Sequence, residues 1–333
     1  INIPYGSMAS AISDDPGDRQ SLSTFRTMGG MFAGAFIMAG VPLMIYDKVN
    51  GNDILNGKRF TIIAGVCSIL AFICYILCYS LTTERVRTEA SADAMRQNSV
   101  GNMLKNALKN RALISIIVAS VFMLVSQLTI QQMANYVFPN YYGNAKAQSL
   151  SMVVMGGGML VAALIAKPLA KKIGKAEMSV IANMLAGVVC IILYFVRPQN
   201  VWVYVSFQFL SWFGLGVFSM VTWALITDVI DYSEIKNGIR EDGSVYALYS
   251  FARKLGQAAS AGLTGALLSL IGYDQSTAFM PEVKEGIFDI STLVPAASFI
   301  ILALILWFWY PLHKKQVEEN VAILREKHSS GKE

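Results

Sequence analysis

Long uncharged apolar runs alternate with short charged clusters along the whole chain. The runs lie at about 21–46, 60–83, 112–138, 147–167, 178–196, 201–227, 244–271 and 290–311. A bilayer core about 30 Å thick needs roughly 20 apolar residues of helix to cross it, and runs of that size recur throughout. The pattern predicts an all-α, polytopic membrane protein with eight full spans. Residues 1–12, interrupted by Pro4, read as the end of a further span, so an upstream part is expected. Between the runs lie a polar turn at 13–20, loops at 47–59, 139–147, 197–200 and 272–289, and longer polar stretches at 84–111 and 228–243. The tail from His313 is charged and reads as a frayed terminus. Within 84–111, Val100, Met103, Leu104, Ala107 and Leu108 make an amphipathic stretch. It fits either a short helix at the membrane interface or a solvated linker turn.

Composition agrees with this pattern. Only 15% of the 333 residues are charged, against about 25% in a soluble domain. The net charge of +5 supplies no basic stripe for nucleic acid. Cys67, Cys74, Cys78 and Cys190 all sit in apolar runs, without disulfide or metal-ligand spacing. The two histidines, His313 and His328, are in the tail, so a histidine-based catalytic or metal site inside the membrane is not expected. The 27 Lys and Arg divide unevenly. The turn at 13–20, the stretches 84–111, 167–177 and 228–243, and the tail hold 18 of them, the alternate loops hold six, and three lie in spans. By the positive-inside rule the first group is cytoplasmic, and so is the C-terminus.

Charges inside the spans are the candidate chemistry. Lys254 lies 11 residues past Gly243, about 16 Å along a helix. An ammonium at that depth costs roughly 2.5–3.5 kcal/mol on insertion scales, so a role in a wet cavity is expected; a structural ion pair is the alternative. Arg253, one residue earlier, points about 100° away. Arg26, nearer its helix start, fits either snorkelling to the surface or a planar fork of donors for a sugar or a carboxylate. Gln127, Gln131 and Asn135 recur at i, i+4 and i+8 on one face. That face lines water or glues helices together, and amides read sugars well because each offers donors and an acceptor. Asp228, Asp231 and Glu234, with Lys236 and Arg240 nearby, fit a cytoplasmic salt-bridge gate better than a metal site. Gly156–Gly158, Gly214, Gly216, Gly262 and Gly265 read as packing or flex points, and Trp202, Trp212, Trp307 and Trp309 as interface belts or cavity walls. A weak internal repeat relates Ser23-Thr-Phe-Arg26-Thr-Met-Gly29 to Ser250-Phe-Ala-Arg253-Lys254-Leu-Gly256, as in carriers built from two related halves.

Asn2-Ile-Pro4-Tyr5-Gly6-Ser7, the turn Asp14–Arg19, Arg26, and Asp228-Val-Ile-Asp231-Tyr232-Ser-Glu234 followed by Gly243 to Lys254-Leu-Gly256-Gln257 resemble the glycoside–pentoside–hexuronide:cation symporters. That resemblance implies a major facilitator fold of twelve helices, of which the chain would hold eight full spans and one partial. Residues 1–83 would end the N-terminal half (partial helix 4, helices 5 and 6), with 84–111 the cytoplasmic middle loop. Residues 112–311 would form the C-terminal half (helices 7–12), and 312–333 a cytoplasmic tail. It implies that Asn2 stands where melibiose carriers have an acid contacting sugar and sodium, so sodium coupling there is in question. It places Arg26, Lys254 and Ser250 at sugar-cavity positions, and puts Gly6 where those carriers have a stacking Trp. The Asn-Ile-Pro-Tyr-Gly version favours glucuronide and xyloside substrates over melibiose.

The expectation is a cation-coupled carrier in a bacterial inner membrane, not an enzyme. It would act as a monomer without cofactor, taking up a glycoside, pentoside or hexuronide with a proton or sodium ion by alternating access. Substrate would meet Asn2, Arg26, Gln127, Gln131, Ser250 and Lys254; Asp228, Asp231, Glu234 and Arg240 would close the cytoplasmic side. A major facilitator carrier of a non-sugar solute is the nearest alternative. A membrane sensor is the next, although the longest loop, of about 28 residues, leaves it no sizeable extramembrane domain.

Overall fold

The computed structural model describes residues 25, 29–30, 32–34, 36–49, 52–83, 110–237 and 242–330. Two compact units divide the chain, 1–98 and 99–333.

In the first unit a π-helical turn, Phe36–Gly40, leads into a short helix α1, Val41–Ile45. A hairpin follows, with β1 (Tyr46–Val49) antiparallel to β2 (Asn52–Leu55) and Tyr46 opposite Leu55. The polar stretch 47–59 is therefore not a plain loop. Asn50-Gly51 at its tip is a strong two-residue hairpin signal. Asp47 ties the hairpin to the next helix: it pairs with Arg59 at 2.5 Å and accepts from the Asn56 side-chain amide at 2.6 Å. Helix α2, Gly57–Leu81, starts at Asn56, whose side chain caps the Arg59 N–H. None of its residues is buried among the described residues, as suits a helix of apolar side chains in lipid.

The second unit is a helical bundle. Its helices are α3 (Arg111–Tyr136), α4 (Ala145–Ile173), α5 (Lys175–Val196), α6 (Val201–Asn237), α7 (Asp242–Leu270), α8 (Pro281–Leu304) and α9 (Lys314–Ser330). Asn110 and Asn144 cap α3 and α4 through their side-chain oxygens, and Pro281 opens α8, where its missing N–H costs nothing. After α3 the chain widens into a π turn, Val137–Tyr141, around Pro139. Helix α6 packs on α4 and α5, α8 on α3 and α5, and α7 on α3.

Close approach needs small residues. A Cβ on Gly214 of α6 would lie 2.6 Å from the Ala182 carbonyl of α5, and on Gly216 2.8 Å from Ala162 of α4. A Cβ on Gly158 would lie 3.0 Å from the Phe209 carbonyl, whereas Gly156, Gly262 and Gly265 have nothing within 4 Å.

Six described helices are long and apolar enough to cross a membrane: Gly57–Leu81, Arg111–Tyr141, Ala145–Ala166, Lys175–Val196, Val201–Ile235 and Pro281–Trp309. The chain is thus a polytopic helical membrane protein. Helix α7, at 29 residues, is long enough but too polar to join them, because Arg253, Lys254 and Gln257 interrupt it. Three boundaries differ from the sequence expectation. Residues 228–237 continue α6 rather than looping, residues 281–289 already belong to α8, and the tail forms helix α9 instead of fraying. The amphipathic stretch 100–108 lies outside the described residues.

Candidate functional site

Polar groups at one end of the bundle are paired. Lys175, opening α5, meets Asp228 of α6 at 2.6 and 2.5 Å. Asn110 donates to Ser233 at 2.6 Å, and Arg111 caps the π-helical turn Ile305–Trp309 that follows α8, through the Phe308 and Trp309 carbonyls at 3.0 Å. Glu177 accepts the Lys314 N–H at 2.9 Å and lies 3.4 Å from His313, fixing the start of α9. Tyr310 is buried there and donates to the Leu225 carbonyl; burial holds its phenol well above the usual range. The acids expected to form a gate in a loop thus stand on the last turns of α6. Asp228 uses Lys175, 53 residues away in sequence, while Arg240 lies outside the described residues.

The α3–α7 side is different. Thr129 lies 3.5 Å from Thr264, a sequence offset of 135, and a Cβ on Gly256 would meet Val121 at 3.4 Å. The two helices therefore run parallel, and Lys254 is level with Ala119. Gln127 and Gln131 sit about 12 and 18 Å further along the axis at 1.5 Å per residue. The 3.6-residue period turns Gln127 and Gln131 of α3, and Ser250, Lys254 and Gln257 of α7, to the same flank of the contact. They form a ladder rather than one cluster.

This flank is sparsely satisfied. Lys254 is exposed, and its ammonium donates to Gln257 at 3.2 Å. Ser250, Gln127 and Gln131 make no hydrogen bond among the described residues, and the two glutamines are half-buried. Asn135 differs, since its side chain accepts from Gln148 of α4 at 2.8 Å, so the third amide of the stripe joins helices together. Asn2 and Arg26 lie outside the described residues.

Trp223 of α6 is a member that the sequence reading passed over. Ser219 reaches Met123 and Ser233 reaches Asn110, so α6 runs antiparallel to α3 and brings Trp223 level with Lys254. The indole is half-exposed and stands edge-on to Tyr249 of α7, centroids 5.4 Å apart. Arg253 lies over the same Tyr249 ring at 5.8 Å. One more Trp in an apolar run gives no sequence signal; only helix pairing sets it at the level of a Lys. Trp212, by contrast, is buried.

An aromatic face and a cation at one depth, with amides spaced along the same flank, can bind a polyhydroxylated solute through ring contact and directed hydrogen bonds. No group of three or more metal-ligating side chains occurs among the described residues.

Comparison with known proteins matches residues 1–314 to the family described as MFS/sugar transport protein. The "Uncharacterized symporter YjmB" of Bacillus subtilis is 28% identical, over 98% of this chain and 70% of its own length. The "Glucuronide carrier protein homolog" of Escherichia coli is 26% identical over 96% and 68%. The "Isoprimeverose transporter" of Lactiplantibacillus pentosus is 26% identical over 99% and 67%.

Proposed function

We propose, from the premise that the chain belongs to the MFS/sugar transport protein family and is a transporter rather than an enzyme, that it carries a glycoside, pentoside or hexuronide into a bacterial cell. The observation that carries this reading is the ladder of unengaged polar groups around Lys254 in the middle of α7. Polar side chains at membrane depth are kept where they meet water or a solute. The relatives named as a glucuronide carrier homolog and an isoprimeverose transporter support a sugar-like substrate.

In this reading Lys254 and Gln257 hold one end of the sugar, and Trp223 offers a ring face at the same depth. Gln127 and Gln131 accept it as it passes along α3. Ser250, one turn before Lys254, adds a hydroxyl, and Asn2 and Arg26 are further candidates. A proton or sodium gradient drives uptake by alternating access within a major facilitator architecture of twelve helices. The Lys175–Asp228 pair, with Asp231 and Glu234 on the same helix end, belongs to a cytoplasmic closure, and the C-terminus is cytoplasmic. The test is uptake of labelled glucuronide, xyloside and galactoside into right-side-out vesicles holding the complete protein, with imposed sodium or proton gradients. Concentrative uptake of at least one of them is expected. Uptake of none, with the protein correctly inserted, overturns the reading in favour of a non-sugar solute.

A further inference from the structure

At the end of the bundle opposite Lys175 and Asp228, a cavity of about 410 Å³ lies among Tyr141, Tyr142, Gln199, Phe279, Lys284 and Glu285. That volume falls in the range of small-molecule sites, about 300–1,000 Å³. Its walls are held firmly. The Tyr141 ring stacks on Phe288 at 4.7 Å, and the Tyr142 hydroxyl donates to the Pro198 carbonyl at 3.0 Å.

The charges there are sorted unevenly. Arg197, the last residue of its turn with φ 41°, sits in the left-handed region that disfavours a side chain. From there its guanidinium takes both nearby acids, Glu285 and Asp289, the latter at 2.6 Å. It also lies over the Tyr194 and Phe288 rings. Lys284, half-buried in the cavity wall, is left with no hydrogen bond or ion pair among the described residues. The first turn of α8 carries Glu282, which answers the helix end, so the positive charge facing the cavity is that of Lys284 itself. The cavity therefore offers one cation without an ion pair among the described residues, two tyrosine rings and an amide.

We propose that this cavity is a subsite at the outer mouth of the carrier for an anionic monosaccharide of the hexuronate class. The carboxylate pairs with Lys284, the ring lies against Tyr141 and Tyr142, and a hydroxyl reaches Gln199. A neutral sugar gains nothing from the cation, so the subsite gathers charged substrate ahead of the transport step. This inference rests on the carrier reading and deepens it.

The experiment uses the complete protein in intact cells. Phe279→Cys is labelled with a membrane-impermeant methanethiosulfonate, and wild-type labelling through Cys67, Cys74, Cys78 and Cys190 is subtracted. D-glucuronate should slow labelling at least threefold, whereas D-glucose at the same concentration should not. Lys284→Gln should abolish the protection, Lys284→Arg should retain it, and added salt should weaken it. Pro281→Cys, also on the cavity wall, replaces Phe279→Cys if the latter does not reach the membrane. Protection that survives Lys284→Gln but disappears with Lys254→Ala comes from the deep site and overturns the mouth subsite while leaving the carrier reading intact. Lys284-dependent protection in a protein that moves no sugar supports the subsite and refutes the carrier reading. Failure of external labelling at both cysteines overturns the placement.

Discussion

The α5–α6 contact and the α3–α7 flank belong to the same bundle and use polar residues in opposite ways. Between α5 and α6, Gly214 admits the Ala182 carbonyl, and Cys190 and Ser211 meet at 3.2 Å. At the end of that contact Asp228 is matched by Lys175. On the α3–α7 flank Gln127, Gln131 and Ser250 have no partner among the described residues, and Lys254 has one neutral amide. An apolar solvent penalises an unpaired polar group more than water does. In the proposed reading the α5–α6 pairs serve assembly, and the α3–α7 flank meets the solute. Substitutions on the two sides should separate stability from transport.

The largest effect is expected at Lys254. Lys254→Ala in the complete protein removes a charge-assisted contact of up to about 3 kcal/mol, so uptake per unit of substrate should fall roughly 100-fold. Membrane insertion should be unchanged, as checked by surface labelling and vesicle uptake. Normal uptake would refute the assignment of the flank. Gly214→Val comes next and reverses the signature. Its Cβ would stand 2.6 Å from backbone and 2.7 Å from Ala186, and overpacking of this kind costs about 1–3 kcal/mol. Thermal inactivation in detergent should be faster, while KM of the surviving protein stays at the wild-type value.

Trp223→Ala tests whether an aromatic face works with Lys254. Loss of ring contact, about 0.5–1.5 kcal/mol, should raise KM up to tenfold, and Trp223→Phe should recover most of it. Equal loss in both variants, with lowered stability, would make the indole a packing element against Tyr249 instead.

Much of this contrast was legible in the sequence, and some of it was not. Six of the apolar runs gave helices long and apolar enough to cross a membrane, because hydrocarbon thickness sets their length. The mid-helix position of Lys254 followed from counting along the run. The extension of α6 through 228–237 was hidden, since three acids read as a solvated loop until Lys175 is brought to the first of them. The hairpin was missed although Asn50-Gly51 announces it, because the stretch around it is short and charged. Trp223 was missed for a different reason. Its importance comes from the antiparallel pairing of α6 with α3, and pairing between helices leaves no trace in the order of residues along either one. Asn135 shows the reverse error. It shares the Gln127–Gln131 stripe by periodicity, yet Gln148 takes it up for helix packing.

That split within a single stripe gives the smallest and most discriminating test. Gln131→Ala removes a half-buried amide with no protein partner among the described residues. If it meets the solute, a neutral hydrogen bond of about 1 kcal/mol is lost, and KM should rise about fivefold with stability unchanged. Gln148→Leu leaves the Asn135 carbonyl without its donor, a cost of about 1–3 kcal/mol in folding, and should lower thermal stability with KM unchanged. The two changes lie within five turns of each other along α3 and α4, so a general loosening of the bundle would move both readouts together. Only a flank whose amides serve the solute, beside one whose amides serve the fold, separates them.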